Sequence, residues 1–175
     1  MLDTDPARDL ARSEGRDVVS GRAGASAAHR GGVDGSEESR AALRWAVDEA
    51  ELRGAELEAV MAWQLPALEF VGPTAGYAVP ATAVMDREVF ARRAEETLEQ
   101  SLQEVIGDKP IPAMTRSVTE GNPVAVLLSR SIQADLLVVG SRGRGGFSGL
   151  LVGSVSGQCV RHARCTVVVV RPEWQ

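Results

Sequence analysis

The stretch Gly140 to Ser154 constrains this chain more than any other. It reads Gly-Ser-Arg-Gly-Arg-Gly-Gly-Phe-Ser-Gly-Leu-Leu-Val-Gly-Ser, with six glycines, two arginines and no acid in fifteen residues. Leu136-Leu137-Val138-Val139 precedes it as an unbroken apolar run, the pattern of a strand buried on both faces. Val155 to Val160 follows and can open a helix. Strand, glycine loop and helix N-terminus in that order bring backbone N–H groups close to an anion. A phosphorylated ligand is therefore expected.

The bulk properties narrow the class. A length of 175 residues suits one domain with a tail, and a core of that size needs no disulfide or metal. Net charge is −5, which argues against a general nucleic-acid surface. Lys109 is the sole lysine, so no Gly-Lys-Ser/Thr loop exists. Cys159 and Cys165 are too few for a disulfide framework or zinc site and read as partly buried thiols. No apolar run approaches the roughly 20 residues of a membrane span. The N-terminus lacks a basic start followed by an apolar block, and a cytoplasmic protein is expected.

Along the chain, residues 1 to 28 carry mixed charge and small residues and read as a disordered or foreign tail; the domain occupies residues 29–172. Ser36 caps a helix with Glu37 and Glu38 in its first turn, and Gly54 stops it. Leu57 to Trp63 is a strand. Gln64 to Met85, with three prolines, is a long connection of the kind that forms lids or binding loops. Asp86 to Ile106 is a helix with Phe90, Ala94, Leu98 and Leu102 on its apolar face. Ile111 to Val118 is a strand. Asn122-Pro123 opens the third helix, with proline at the first helical position. After the glycine loop a helix runs to about Ala163, and Thr166 to Val170 is the last strand.

Strands alternating with helices imply a doubly wound parallel sheet covered on both faces. Ligands then lie beyond the strands' carboxyl ends, where Asp34-Gly35-Ser36 and Gly140 both fall. If the two strands are neighbours, these segments form the sides of one crevice.

Residues 32 to 172 resemble the nucleotide-binding type of the universal stress protein family. The marker is Gly-x2-Gly-x9-Gly-Ser/Thr, met by Gly140, Gly143, Gly153 and Ser154 with all spacings kept. Val33-Asp34-Gly35-Ser36, Glu120-Gly121-Asn122-Pro123, Ala134 to Gly143, and His162 to Arg171 support it in order. The resemblance implies an α/β sheet of five parallel strands in order 3-2-1-4-5. It also implies ATP at the carboxyl edge and a homodimer. Mg²⁺ is expected to be held mainly by phosphates and water, and the four valines Val167 to Val170 suit edge pairing with a second copy. By resemblance, Asp34 meets the adenosine end and Ala62 the adenine through its backbone. Gly140 lies near the ribose and first phosphate, Gly143 near the phosphates, and Gly153, Ser154 and Val155 hold the phosphate chain. Ser156 adds a second hydroxyl. Arg142 and Arg144 either add charge at the triphosphate or are solvated loop residues.

No Ser/His/Asp constellation is present: His29 adjoins the tail and His162 sits near a helix C-terminus. A regulatory protein that binds ATP and a protein partner is expected. A slow ATPase, an adenylyl-transferring enzyme, or a dimerisation module that has lost ATP are the alternatives. One region departs from the family. The first strand should be apolar on both faces, yet Ala28-His29-Arg30-Gly31-Gly32 holds two glycines, a histidine and an arginine. So abrupt a change suggests that residues 1–32 are foreign to the domain, through a displaced frame or start; the alternative is a genuine but weak strand.

Overall fold

Nine elements alternate along the chain in a computed structural model that describes residues 27–65, 86–108, 113–145 and 151–172. They are β1 (Ala28–Val33), α1 (Glu37–Arg53), β2 (Glu56–Trp63), α2 (Arg87–Ile106), β3 (Met114–Glu120), α3 (Pro123–Ser131), β4 (Leu136–Gly140), α4 (Ser154–His162) and β5 (Thr166–Val170). All strands run parallel, in order β3-β2-β1-β4-β5. This is the expected doubly wound sheet. The tail before residue 27, the connection from residue 66 to 85 and the loop tip 146–150 lie outside the described residues. The third strand begins at Met114, later than the apolar pattern from Ile111 suggested.

Each face of the sheet carries its own core. On one side α1 and α2 press Leu43, Ala46, Val47, Leu98 and Leu102 onto Val33, Leu57, Ala59 and Val138. On the other, α3 and α4 bring Val126, Leu127 and Cys159 onto Val60, Leu137 and Val139. The alternation along β2 and β4 follows from the pleat, since successive side chains point to opposite faces. Burial pushes the Cys159 thiol up to about 11, with Cys165 nearby adding to the effect, and so keeps it protonated.

The first strand is where the sequence left two readings open. Residues 28–33, of which composition set 28–32 apart as foreign sequence or as a genuine but weak strand, form the central strand of the sheet. They pair with β2 from Ala28–Glu56 to Val33–Met61, and with β4 from His29–Leu136 to Gly31–Val138. Neighbouring side chains occupy the room the glycines leave. A β-carbon on Gly32 would come 3.3 Å from Leu127 and Val139 methyls, and one on Gly31 would lie 3.8 Å from Ala46 and Leu43. Arg30 is balanced rather than tolerated. Its Nε lies 2.8 Å from Glu58 Oε2, and Arg130 Nη1 lies 3.0 Å from Glu58 Oε1. The Arg30 N–H points off the carboxylate, so this contact is an ion pair more than a hydrogen bond. Arg130 Nη2 also donates to Ser117 Oγ at 3.0 Å. A carboxylate shared by two guanidinium groups can sit in a largely buried position that a lone charge could not. His29 is 2% exposed and its Nδ1 has no partner. Burial holds that imidazole below its ordinary value of 6.5, outweighing the opposing pull of Glu49 and Asp135.

Candidate functional site

The turn after β1 and the loop after β4 meet at the carboxyl edge of the sheet. Gly35 has φ of 80°, a left-handed conformation that glycine adopts without strain. It reverses the chain so that Ser36 caps α1, with Ser36 Oγ accepting from Ser39 N at 3.1 Å. Asp34 ties the two segments together. Its Oδ1 accepts from Ser36 N at 2.9 Å and from Ser36 Oγ at 2.6 Å, while Oδ2 accepts from Arg144 N at 3.2 Å. Burial alone would raise the Asp34 carboxyl, but these donors, with Ser39, hold it below its ordinary range. Asp34 is thus an ionised brace across the crevice. β1 and β4 are neighbours, so the two strand ends form the sides of one crevice, the condition the sequence had left open.

Gly140 lines the crevice, and its lack of a side chain is also required by the protein itself. Its φ is not positive, and the close approach it permits is made by the protein itself. A β-carbon there would lie 2.7 Å from the Glu38 carbonyl carbon and 2.9 Å from Ser39 N, so α1 rests directly on the end of β4. At Gly143 the space a side chain would need is taken by the Asp34 carboxylate.

The start of α4 differs from the other three helix starts. Ser36, Asp86 and Asn122 each cap their helix with a side-chain oxygen. At α4 the cap is Gly153, and no side chain accepts from the first turn. Its leading N–H groups are left to whatever occupies the crevice, at the end of the helix where the dipole favours an anion. Ser156 is committed internally. Its hydroxyl donates to Ser141 O at 2.9 Å, and Gly153 N donates to the same carbonyl at 2.7 Å. The Ser154 hydroxyl is exposed.

These segments enclose a cavity of about 670 Å³, within the range of small-ligand sites. Asp34, Ala62, Gly140, Gly143, Gly153, Ser154, Val155 and Ser156 all line it. Sequence reasoning missed the wall contributed by α2, made of Phe90, Arg93 and Thr97. Phe90 was assigned to the apolar face of α2, and from the first turn of that helix it lines the cavity. The spacing of positions 90, 93 and 97 on one helical face was a visible signal, hidden because two of the three residues are polar. Trp63, expected as core or rim packing, does both: it packs against the α1 and α2 core and lines the cavity. Arg142 reaches Glu38 at 3.5 Å.

This geometry sits on a recognised sequence. The universal stress protein family model matches residues 31–171. The chain belongs to the universal stress protein family. Universal stress protein Rv2623 of Mycobacterium tuberculosis is 41% identical over 140 residues, covering 80% of this chain and 43% of that protein. Universal stress protein Rv2005c of the same organism is 39% identical over 149 residues, covering 80% and 44%. This universal stress protein chain therefore spans less than half the length of those relatives. Among solved structures, UspA from Lactobacillus plantarum superposes with a TM-score of 0.67 at 26% identity, covering 84% of this chain and 99% of that one. A universal stress protein solved in complex with cAMP shares the fold at a TM-score of 0.51 and 24% identity, covering 84% and 98%. No described helix is long and apolar enough to cross a membrane.

Proposed function

We propose that this chain binds ATP, with Mg²⁺, in the cavity at the carboxyl edge and acts as a nucleotide-dependent regulatory protein. One observation carries the reading: the uncapped α4 N-terminus opens into a cavity that all eight sequence-derived positions line. The phosphates lie against the amides of Ser154 to Ser156 and the Ser154 hydroxyl, where orphan donors and the helix dipole favour an anion. The base lies toward Ala62 on β2, near Trp63. Gly140 and Asp34 act by holding the two walls at their spacing. The described residues include no cluster of three or more His, Cys, Asp or Glu able to hold a metal. Mg²⁺ is accordingly held by phosphate oxygens and water.

Binding rather than turnover is the better-supported activity. Asp34 is the sole carboxylate among the described lining residues, and its oxygens already accept three hydrogen bonds. Neither histidine lines the cavity. Titration calorimetry with Mg·ATP, paired with native mass spectrometry, tests the reading. A single nucleotide per chain is expected. Absence of any adenine-nucleotide affinity at millimolar ligand, in a folded sample, would sink it.

A second reading concerns assembly. Among the described residues β5 is an edge strand with no sheet partner on its outer side, and its valines 167–170 are only half-buried. An apolar edge of that kind pairs readily with another strand. A second copy of this chain is the partner that fits, and a cytoplasmic dimer is the expected form. Light scattering on the eluted protein checks it: a monomer at all concentrations contradicts the pairing.

A further inference from the structure

The charge around the cavity is the reverse of the charge on the molecule. The chain carries a net −5, yet the described lining residues include three arginines, Arg93, Arg142 and Arg144, against one acid, Asp34. Arg142 is partly answered by Glu38. Arg93 and Arg144 pair with no carboxylate among the described residues.

Their placement is specific. Gly35 lacks a side chain where two groups converge: a β-carbon there would come 2.5 Å from Thr97 Cγ2 and 2.7 Å from Arg144 Nη2. The Arg144 guanidinium therefore rests over the β1 turn, beside Thr97 of α2. Arg93 lies one helical turn before Thr97 on the same face of α2. Two like charges are thus gathered on the α2 side of the cavity. The open N-terminus of α4 lies across the sheet, on its opposite face. A lone phosphate seated on the α4 amides leaves the arginine side unmatched. A chain of phosphates supplies enough charge for both.

We infer that Arg93 and Arg144 set the ligand's charge requirement, forming a second anion position that favours a nucleoside polyphosphate over a monophosphate or cyclic monophosphate. This rests on the nucleotide reading above, adds Arg93 to it, and decides for Arg144 between the two roles that the sequence left open. Guanidinium–phosphate contacts are charge-assisted and gain strength from each added phosphate oxygen they meet. Neither side chain carries the fold. Arg144 bonds Asp34 through its backbone N–H, and Arg93 meets Thr97 through its carbonyl.

The test is calorimetric titration of the full chain with ATP, AMP, cAMP and inorganic tripolyphosphate, repeated for Arg93→Gln, Arg144→Gln and the double variant. The unaltered chain is expected to prefer ATP over AMP by about tenfold or more. The double variant narrows that ratio to roughly threefold or less, with AMP affinity held within about twofold. Salt dependence of ATP binding weakens in parallel as charged contacts are lost. Arg93→Lys with Arg144→Lys restores most of the preference, because the charge returns. An unchanged ratio in the double variant overturns the inference, as does an equal fall for ATP and AMP. If no adenine nucleotide binds the unaltered chain, the nucleotide reading fails. Tripolyphosphate then decides separately: binding lost in the double variant upholds the arginine pair, and no binding overturns it too.

Discussion

β1 and β4 lie side by side at the centre of the sheet, each followed by a turn and a helix, and they solve the same problem in opposite ways. β4 is a plain apolar strand whose helix begins uncapped. β1 is a polar, glycine-rich strand whose helix begins fully capped by Ser36. The β1 unit satisfies its polar groups internally, through the Arg30–Glu58–Arg130 cluster and the Asp34–Ser36 hydrogen bonds. The β4 unit keeps its core simple and leaves backbone donors facing the cavity. Stability concentrates its polar devices on one side of the crevice, and ligand contact concentrates them on the other.

The largest expected effect breaks the β1 side. Glu58→Leu leaves Arg30 facing Arg130 without the shared carboxylate and should cost about 3 kcal/mol, read from urea unfolding. An unchanged midpoint would mean that the cluster is well solvated. Next comes Gly140→Ala on the β4 side. Its new β-carbon meets the α1 backbone, and a loss of about 2 kcal/mol is expected. Gly31→Ala in β1 is the matched control. Its contacts are of ordinary length, so a change within about 0.5 kcal/mol is expected in the same assay.

The two helix starts offer a smaller and sharper contrast. Ser36→Ala should cost about 1 kcal/mol through the lost cap. Ser154→Ala should leave stability within about 0.5 kcal/mol but weaken ATP binding roughly tenfold, since a donor to a charged phosphate is removed. If Ser154→Ala instead destabilised the protein with unaltered affinity, the division between the units would be reversed.

The smallest effect is on pH. The buried His29 has a folded value below its ordinary 6.5, so the unfolded chain takes up the proton first. Stability is full above pH 6.5 and falls as pH drops from there toward the folded value. Melting temperatures followed between neutral and mildly acidic pH should show this decline, and His29→Asn should flatten it.

Legibility followed the same division. The order of elements and the parallel sheet were readable because each rests on local signals: apolar runs, caps such as Asn122-Pro123, and glycine stops. β1 was left between foreign sequence and a genuine but weak strand because its fitness is non-local. Nothing near Gly32 in sequence announces Leu127 and Val139, and nothing near Arg30 announces Glu58 and Arg130. The α2 wall was missed for a related reason. Arg93 and Thr97 look like solvent-facing helix positions until the β1 turn and Arg144 are brought beside them. Gly140 was singled out for a ligand approach, and the contact that sequence could not show is with the backbone of α1.

That contact ties the fates of two distant stretches of sequence. Any side chain at position 140 has to lift the entry of α1, and lifting α1 drags Ser36 and the Asp34 brace with it. Drift at one end of this pair is therefore tolerated only with matching drift at the other. A graft of β4 and residues 140–145 into another scaffold will keep its shape only if the first turn of α1 is carried along.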